Sequence, residues 1–225
     1  GRALMGLKLS GDSEAKVKNV SIDDLEIVSS ADINNYQEPT RNVSLAVNLP
    51  SDAVVTDAAA PAKTYDVPIT LIDKAGVTNA DGTTDSRFAE LNLRFAKTGE
   101  TLVDNGDGTT QTVATWTVYK GSGAYTDTGK ALTTPPDMTA LGTFQLDQEG
   151  ALYGGESGDN ATLNLDLGSA FAPITINLGA YGSGDGVASA PNGVFTVGRA
   201  SHDGIAAHTA KEVAITDDGY VEATF

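Results

Sequence analysis

The sequence predicts an all-β fold of two β-domains, sandwich-like or barrel-like, with the outer domain inserted into an inner one built from both chain ends. Three observations carry that expectation. Short runs of alternating apolar and polar residues recur along the chain. β-branched and aromatic residues gather in those runs, and Gly, Asn and Asp punctuate them as turns. Short strands at regular spacing with turn signals between them are the pattern of a sandwich or barrel.

The elements follow in order. "GRALMGLKLSG" reads as strand from the first residues, and "EAKVKNVSIDDLEI" (14–27) is a helix candidate that also alternates as strand. "NVSLAVNL" (42–49) sends Val43, Leu45, Val47 and Leu49 to one side. "YDVPITLID" (65–73) holds a Pro early, where a strand start or an edge strand tolerates it. "AELNLRFAK" (89–97) puts Leu91, Leu93 and Phe95 on one face. In "QTVATWTVYK" (111–120) both faces carry apolar bulk, Trp116 and Val118 on one and Val113 and Tyr119 on the other. "GTFQLDQEGAL" (142–152) reads as strand, turn at 148–150 and short strand, and "ATLNLDLG" and "PITINL" keep the period. "AAHTAKEV" (206–213) is the second helix candidate; like the first it is short and lacks a C-terminal cap. The closing "KEVAITDDGYVEATF" reads as a hairpin turning at Asp-Gly.

Composition narrows the partners. With 225 residues, 40% of them hydrophobic, the chain can bury the core of one large or two modest domains. Against 14 Lys and Arg stand 30 Asp and Glu, a formal charge of −16. Such a surface repels phosphate backbones and anionic membranes, so neither nucleic acid nor membrane is expected as a partner. Cysteine is absent, which removes thiol catalysis, thiolate metal sites and disulfides. No apolar run approaches the roughly 18 residues of a spanning helix.

Motifs that could carry chemistry have structural readings that fit better. Neither a metalloprotease motif nor a nucleophile elbow accompanies His202 or His208. "DNGDGTT" (104–110) and "NADGTTD" (79–85) share parts of a calcium loop but lack its distal Glu. Their Asn-Gly and Asp-Gly pairs are hairpin-turn chemistry. "GSGDGV" (182–187) lacks the third Gly and the βαβ setting of a dinucleotide site and reads as loop. Trp116, Tyr119 and Tyr125 could present a sugar-binding platform, but Trp116 on an alternating strand belongs in a core. No catalytic, cofactor-binding or metal-binding residue and no cofactor is expected.

Four segments, in order across nearly the whole chain, resemble the bacterial flagellar hook protein: "LMGLKLSG" (4–11), "RNVSLAVNLPSDA" (41–53), "GTFQLDQEGALYGG" (142–155) with the strands after it, and "SHDGIAAHTAKEVAITDDGYVEATF" (201–225). The chain departs from the family in lacking helical segments at both termini and in residues 58–139, which match only in strand texture. The resemblance implies an excised fragment, with residues 1–40 and 181–225 forming part of an inner β-domain and 41–180 an inserted outer one. Gly-rich junctions near Thr40 and Ala180 are expected to hinge the two.

The resemblance further implies a structural, non-enzymatic subunit of the hook, a tubular universal joint that carries torque from motor to filament. Its partners would be other copies of itself, the hook cap and the hook–filament junction proteins. The location would be the extracellular flagellum, reached without a cleaved signal peptide, and the fragment alone would be monomeric. The alternative is an extracellular carbohydrate-binding or adhesin-type β-sandwich.

Overall fold

Strands form almost run for run where the alternation places them. The computed structural model describes residues 2–5, 36–73, 77–78, 84–85, 88–127, 130–134, 139–168, 171–190, 193–208, 212–215 and 221–224, and among them there is no helix. In chain order the strands are β1 (Arg2–Met5), β2 (Tyr36–Glu38), β3 (Asn42–Pro50), β4 (Tyr65–Ile72), β5 (Val77–Thr78), β6 (Thr84–Asp85), β7 (Phe88–Asp104), β8 (Thr110–Asp127) and β9 (Lys130–Thr134). They continue with β10 (Thr139–Leu146), β11 (Leu152–Tyr153), β12 (Asn160–Leu165), β13 (Ile174–Ala180), β14 (Val187–Ala190), β15 (Thr196–His202), β16 (Ile205–His208), β17 (Glu212–Ile215) and β18 (Val221–Thr224).

Two curled sheets, each a half-barrel, make up the main body. In the first, β3 is central. β15 lies antiparallel along one edge, from His202 beside Val43 to Thr196 beside Asn48. Two strands parallel to β3 share the other edge, β13 beside residues 42–44 and β14 beside residues 47–50. Between these two the chain makes an excursion whose neck is closed by a bridge from Gly179 to Gly186. A Cβ on Gly179 would stand 2.3 Å from Asp185 O, and one on Gly186 2.3 Å from Leu178 O, so neither position has room for a side chain. β12 completes the sheet outside β13.

The second sheet runs β11-β10-β8-β7-β4, with β9 on the far end of β8. Pro68 is exposed on β4, at the end of that order, where its missing N–H is tolerated. The turn at 148–150 joins β10 to β11, with Asp147 Oδ1 accepting from Ala151 N.

One core fills the space between the sheets. Val43, Leu45, Val47 and Leu49 of β3 belong to it, together with Val67, Ile69 and Leu71 of β4 and Leu91, Leu93 and Phe95 of β7. Each set has the two-residue period of a strand with one covered face. β8 is covered on both faces for a visible reason. Trp116 and Val118 join the core, while Tyr119 is buried with its hydroxyl donating to Ala58 O, 2.6 Å away in the loop after β3. β15 comes against β4 and β10 against β12, so the sheets meet along both flanks. Backbone bonds from Ser189 N to Gly150 O and from Gly182 N to Leu152 O tie one corner.

Both ends of the chain share a third sheet, β1-β18-β17, and β2 pairs with β16. Near residue 180 the chain makes the Gly-rich excursion, and residues 187–202 return to pair with β3. One expectation changes. The helix candidate at 206–213 contributes instead to β16 and β17, because ladder partners in β2 and β18 outweigh the helix propensity of its alanines. The candidate at 14–27 lies outside the described residues.

Candidate functional site

The place where the main body joins the rest of the chain is the best-defined polar arrangement in the molecule. Here two passages of chain, 38–42 and 202–205, run side by side. The β3–β15 ladder ends at Val43 and His202, and the β2–β16 ladder begins at Glu38 and Ile205. Between the ladders the backbone groups need other partners, and side chains supply them.

Asp203 is the principal one. Its Oδ1 accepts from Arg41 N at 2.8 Å and Asn42 N at 2.9 Å, and its Oδ2 accepts from Asn42 Nδ2 at 2.7 Å. Asp203 N donates back to Asn42 O at 3.2 Å. Partial burial pushes this carboxyl up, but the hydrogen bonds from the Asn42 and Arg41 backbones and the Asn42 side chain outweigh it. The net result is a pKa below the ordinary aspartate value.

Thr40 works on the other side. It is fully buried, its N donates to Ile72 O at 3.0 Å, and its Oγ1 accepts from Ile72 N at 2.9 Å. Thr40 thereby fastens the first passage to the end of β4. Gly204 packs against it so closely that a Cβ would stand 2.4 Å from Thr40 Oγ1, 3.0 Å from Thr40 N and 3.2 Å from Ile72 Cβ. The hinge was expected near Thr40 and Ala180. Thr40 is buried and bonded, Ala180 lies inside β13, and the two passages meet at Thr40 and Gly204.

Away from this junction, the β7–β8 hairpin projects as an arm. Its strands pair from Ala89 with Tyr125 to Asp104 with Thr110, with a bulge between Lys97 and Gly99. β4 follows β7 only as far as Phe95, and β10 follows β8 only from Ala114. Beyond those points, no named strand among the described residues pairs with either outer edge of the arm. The bulge at the base bends the strand as it leaves the sheet. Lys97 is buried there; its Nζ pairs with the Glu100 carboxylate and donates to Ser51 O at 3.3 Å.

At the tip, "DNGDGTT" is the hairpin turn expected of it. Gly106 has φ +81° and its N donates to Asp104 Oδ1 at 2.8 Å. Asp107 Oδ1 accepts from Thr109 N at 2.9 Å and Thr109 Oγ1 at 2.6 Å, which holds the carboxyl below its usual range. Asn105 N donates to Thr109 O and Asn105 Nδ2 to Thr109 Oγ1, both at 2.9 Å. One oxygen of each carboxylate, Asp104 Oδ1 and Asp107 Oδ1, is occupied within the turn itself.

The remaining candidates separate. Trp116 is 1% exposed and Tyr119 2% exposed, so neither offers a ring face to a sugar; the Tyr125 side chain lies outside the described residues. Trp116 instead meets Tyr65 at 5.9 Å, and Tyr65 meets Phe195 at 5.3 Å. His202 is exposed on β15, and the side chain of His208 is outside the described residues. "GSGDGV" lies in the excursion and leads into β14. Of the second turn motif, 79–83 are outside the described residues, and Thr84–Asp85 pair with β5. Among the described residues no cluster of His, Cys, Asp or Glu could hold a metal ion.

Sequence reasoning missed the junction. "SHDG" carried a signal, since Asp-Gly after a strand is a chain-reversal pair, but its partner Asn42 is 161 residues away. Compared with known proteins, the chain matches no protein-family model and no curated relative.

Proposed function

We propose that this chain is a structural subunit of a self-assembling extracellular tube of the flagellar-hook type, and that it acts without catalysis. The observation that carries the reading is the junction. The two-sheet β-body hangs from two adjacent passages of chain fastened by Asp203, Thr40 and Gly204. Such an attachment suits a domain that decorates a polymer built by other segments, because load entering through one passage passes directly to the other. The ordered resemblance of four segments to the hook protein supports the same reading, as does a formal net charge of −16 over the chain, which suits neighbours that must slide rather than lock.

In this role the partners are further copies of the chain, the hook cap and the hook–filament junction proteins, and the site of action is the bacterial flagellum. The test compares the chain alone with the same chain extended at both ends by the terminal helical segments of a hook protein. Light scattering is expected to find the first monomeric, and electron microscopy to find tubes of the second. An extended chain that stays monomeric, or tubes formed by the chain alone, would overturn the proposal.

A further inference from the structure

The tip of the β7–β8 arm holds an Asn-Gly pair in the open. Asn-Gly is prone to spontaneous deamidation because glycine puts no side chain in the way when its backbone nitrogen attacks the preceding amide. Asn105 and Gly106 are both exposed. Among the described residues no strand pairs with either outer edge of the arm there, and an isolated two-stranded ribbon is marginally stable at best.

The turn holds both reacting groups. The attacking group would be Gly106 N, but its hydrogen is engaged with Asp104 Oδ1. The amide under attack is engaged through Asn105 Nδ2 with Thr109 Oγ1, and that hydroxyl is itself fixed by Asp107 Oδ1. Two carboxylates, one on each side, therefore keep nucleophile and electrophile in a non-reactive arrangement. Reaction requires the tip to open.

We infer that Asn105 is a modification site, converted to aspartate and isoaspartate at a rate set by opening of the arm's tip. In the reaction, a bond forms between Gly106 N and Asn105 Cγ. The bond from Cγ to Nδ2 breaks, and ammonia leaves carrying the former amide hydrogen of Gly106. Water then opens the cyclic imide at one carbonyl or the other. No oxidant, metal or enzyme is needed. The product reinforces its own opening, because aspartate at 105 lacks the donor to Thr109 and adds a third carboxylate beside Asp104 and Asp107. This inference is independent of the proposed function.

The test incubates the full chain in mildly alkaline buffer beside a linear peptide covering residues 98–113, with peptide mapping by mass spectrometry over time. Conversion at Asn105 is expected in the chain, at least about tenfold slower than in the peptide, since two hydrogen bonds at roughly fivefold each must open. Thr109→Ala and Asp104→Ala should each accelerate it by roughly fivefold, and thermal melting checks that both variants keep the sandwich. Asn105 that stays intact in the chain and in both variants while the peptide converts fully would overturn the site. Equal rates in chain and peptide would overturn control by the turn.

Discussion

The two halves of the β7–β8 hairpin share strands and ladder but differ in nearly everything else. In the inner half Leu91, Leu93, Phe95, Trp116 and Val118 are at most 2% exposed, with β4 and β10 bonded to the outer edges. In the outer half Leu102 is 74% exposed, and among the described residues those edges carry no strand. Backbone pairing continues across both. Net hydrogen-bond contributions are modest because water competes for the same groups, whereas each large side chain covered adds roughly 2 kcal/mol. Stability in this chain thus follows coverage, and the ladder alone carries the arm only as a ribbon.

The sharpest way to test that contrast is Phe95→Ala. Phe95 is fully buried and meets Phe144 edge-on at 6.0 Å, so its removal should cost about 3–5 kcal/mol in denaturant unfolding. A loss under about 1 kcal/mol would break the argument. Gly204→Ala comes next. Its methyl would press on the Thr40 backbone and Ile72, and about 1–3 kcal/mol of destabilisation is expected by the same measurement. If Ala fits there without loss, the junction is looser than its contacts say.

Asp203→Asn should cost about 1 kcal/mol or less, because the carboxylate is exposed to solvent and screened by it. Its diagnostic is pH. A carboxyl whose folded pKa is depressed contributes stability that is fully present above its unfolded value of about 3.9 and is lost as pH falls through the folded value. The difference in melting temperature between wild type and Asp203→Asn should therefore be constant near neutrality and shrink below about pH 4. A difference that persists unchanged at lower pH would show that the charge contributes nothing. Leu102→Ala marks the small end, within about 0.5 kcal/mol of wild type. Amides at 101–104 should exchange faster than those at 91–95, and equal protection would mean that something covers the arm.

Much of the sandwich was legible in the sequence because its signals are local. Val43 to Leu49 and Leu91 to Phe95 alternate at the period of a half-covered strand, and Asn105-Gly106 names its own turn. The parallel neighbours of β3 were not legible: nothing in "PITINL" or "GVASA" says that both lie on one edge of a strand near residue 45. The junction was hidden for the same reason, since Asp203 reads as a turn residue until Asn42 is beside it. The helix candidate at 206–213 failed through pairing partners that its own window does not contain.

The central position of β3 has a kinetic consequence. This strand is among the first parts of the body to be made, yet its nearest-in-sequence partner, β13, begins only at Ile174. Until then Val43, Leu45, Val47 and Leu49 have no sheet to join, and both edges of β3 are open to wrong partners. The hairpins of the β8 sheet can close locally, but the first sheet must wait for loops of well over a hundred residues to close, a topology associated with folding in milliseconds to seconds. A chain interrupted before Ile174 would present this strand without its sheet partners, so how fast the last third arrives sets how long the molecule is at risk of aggregation.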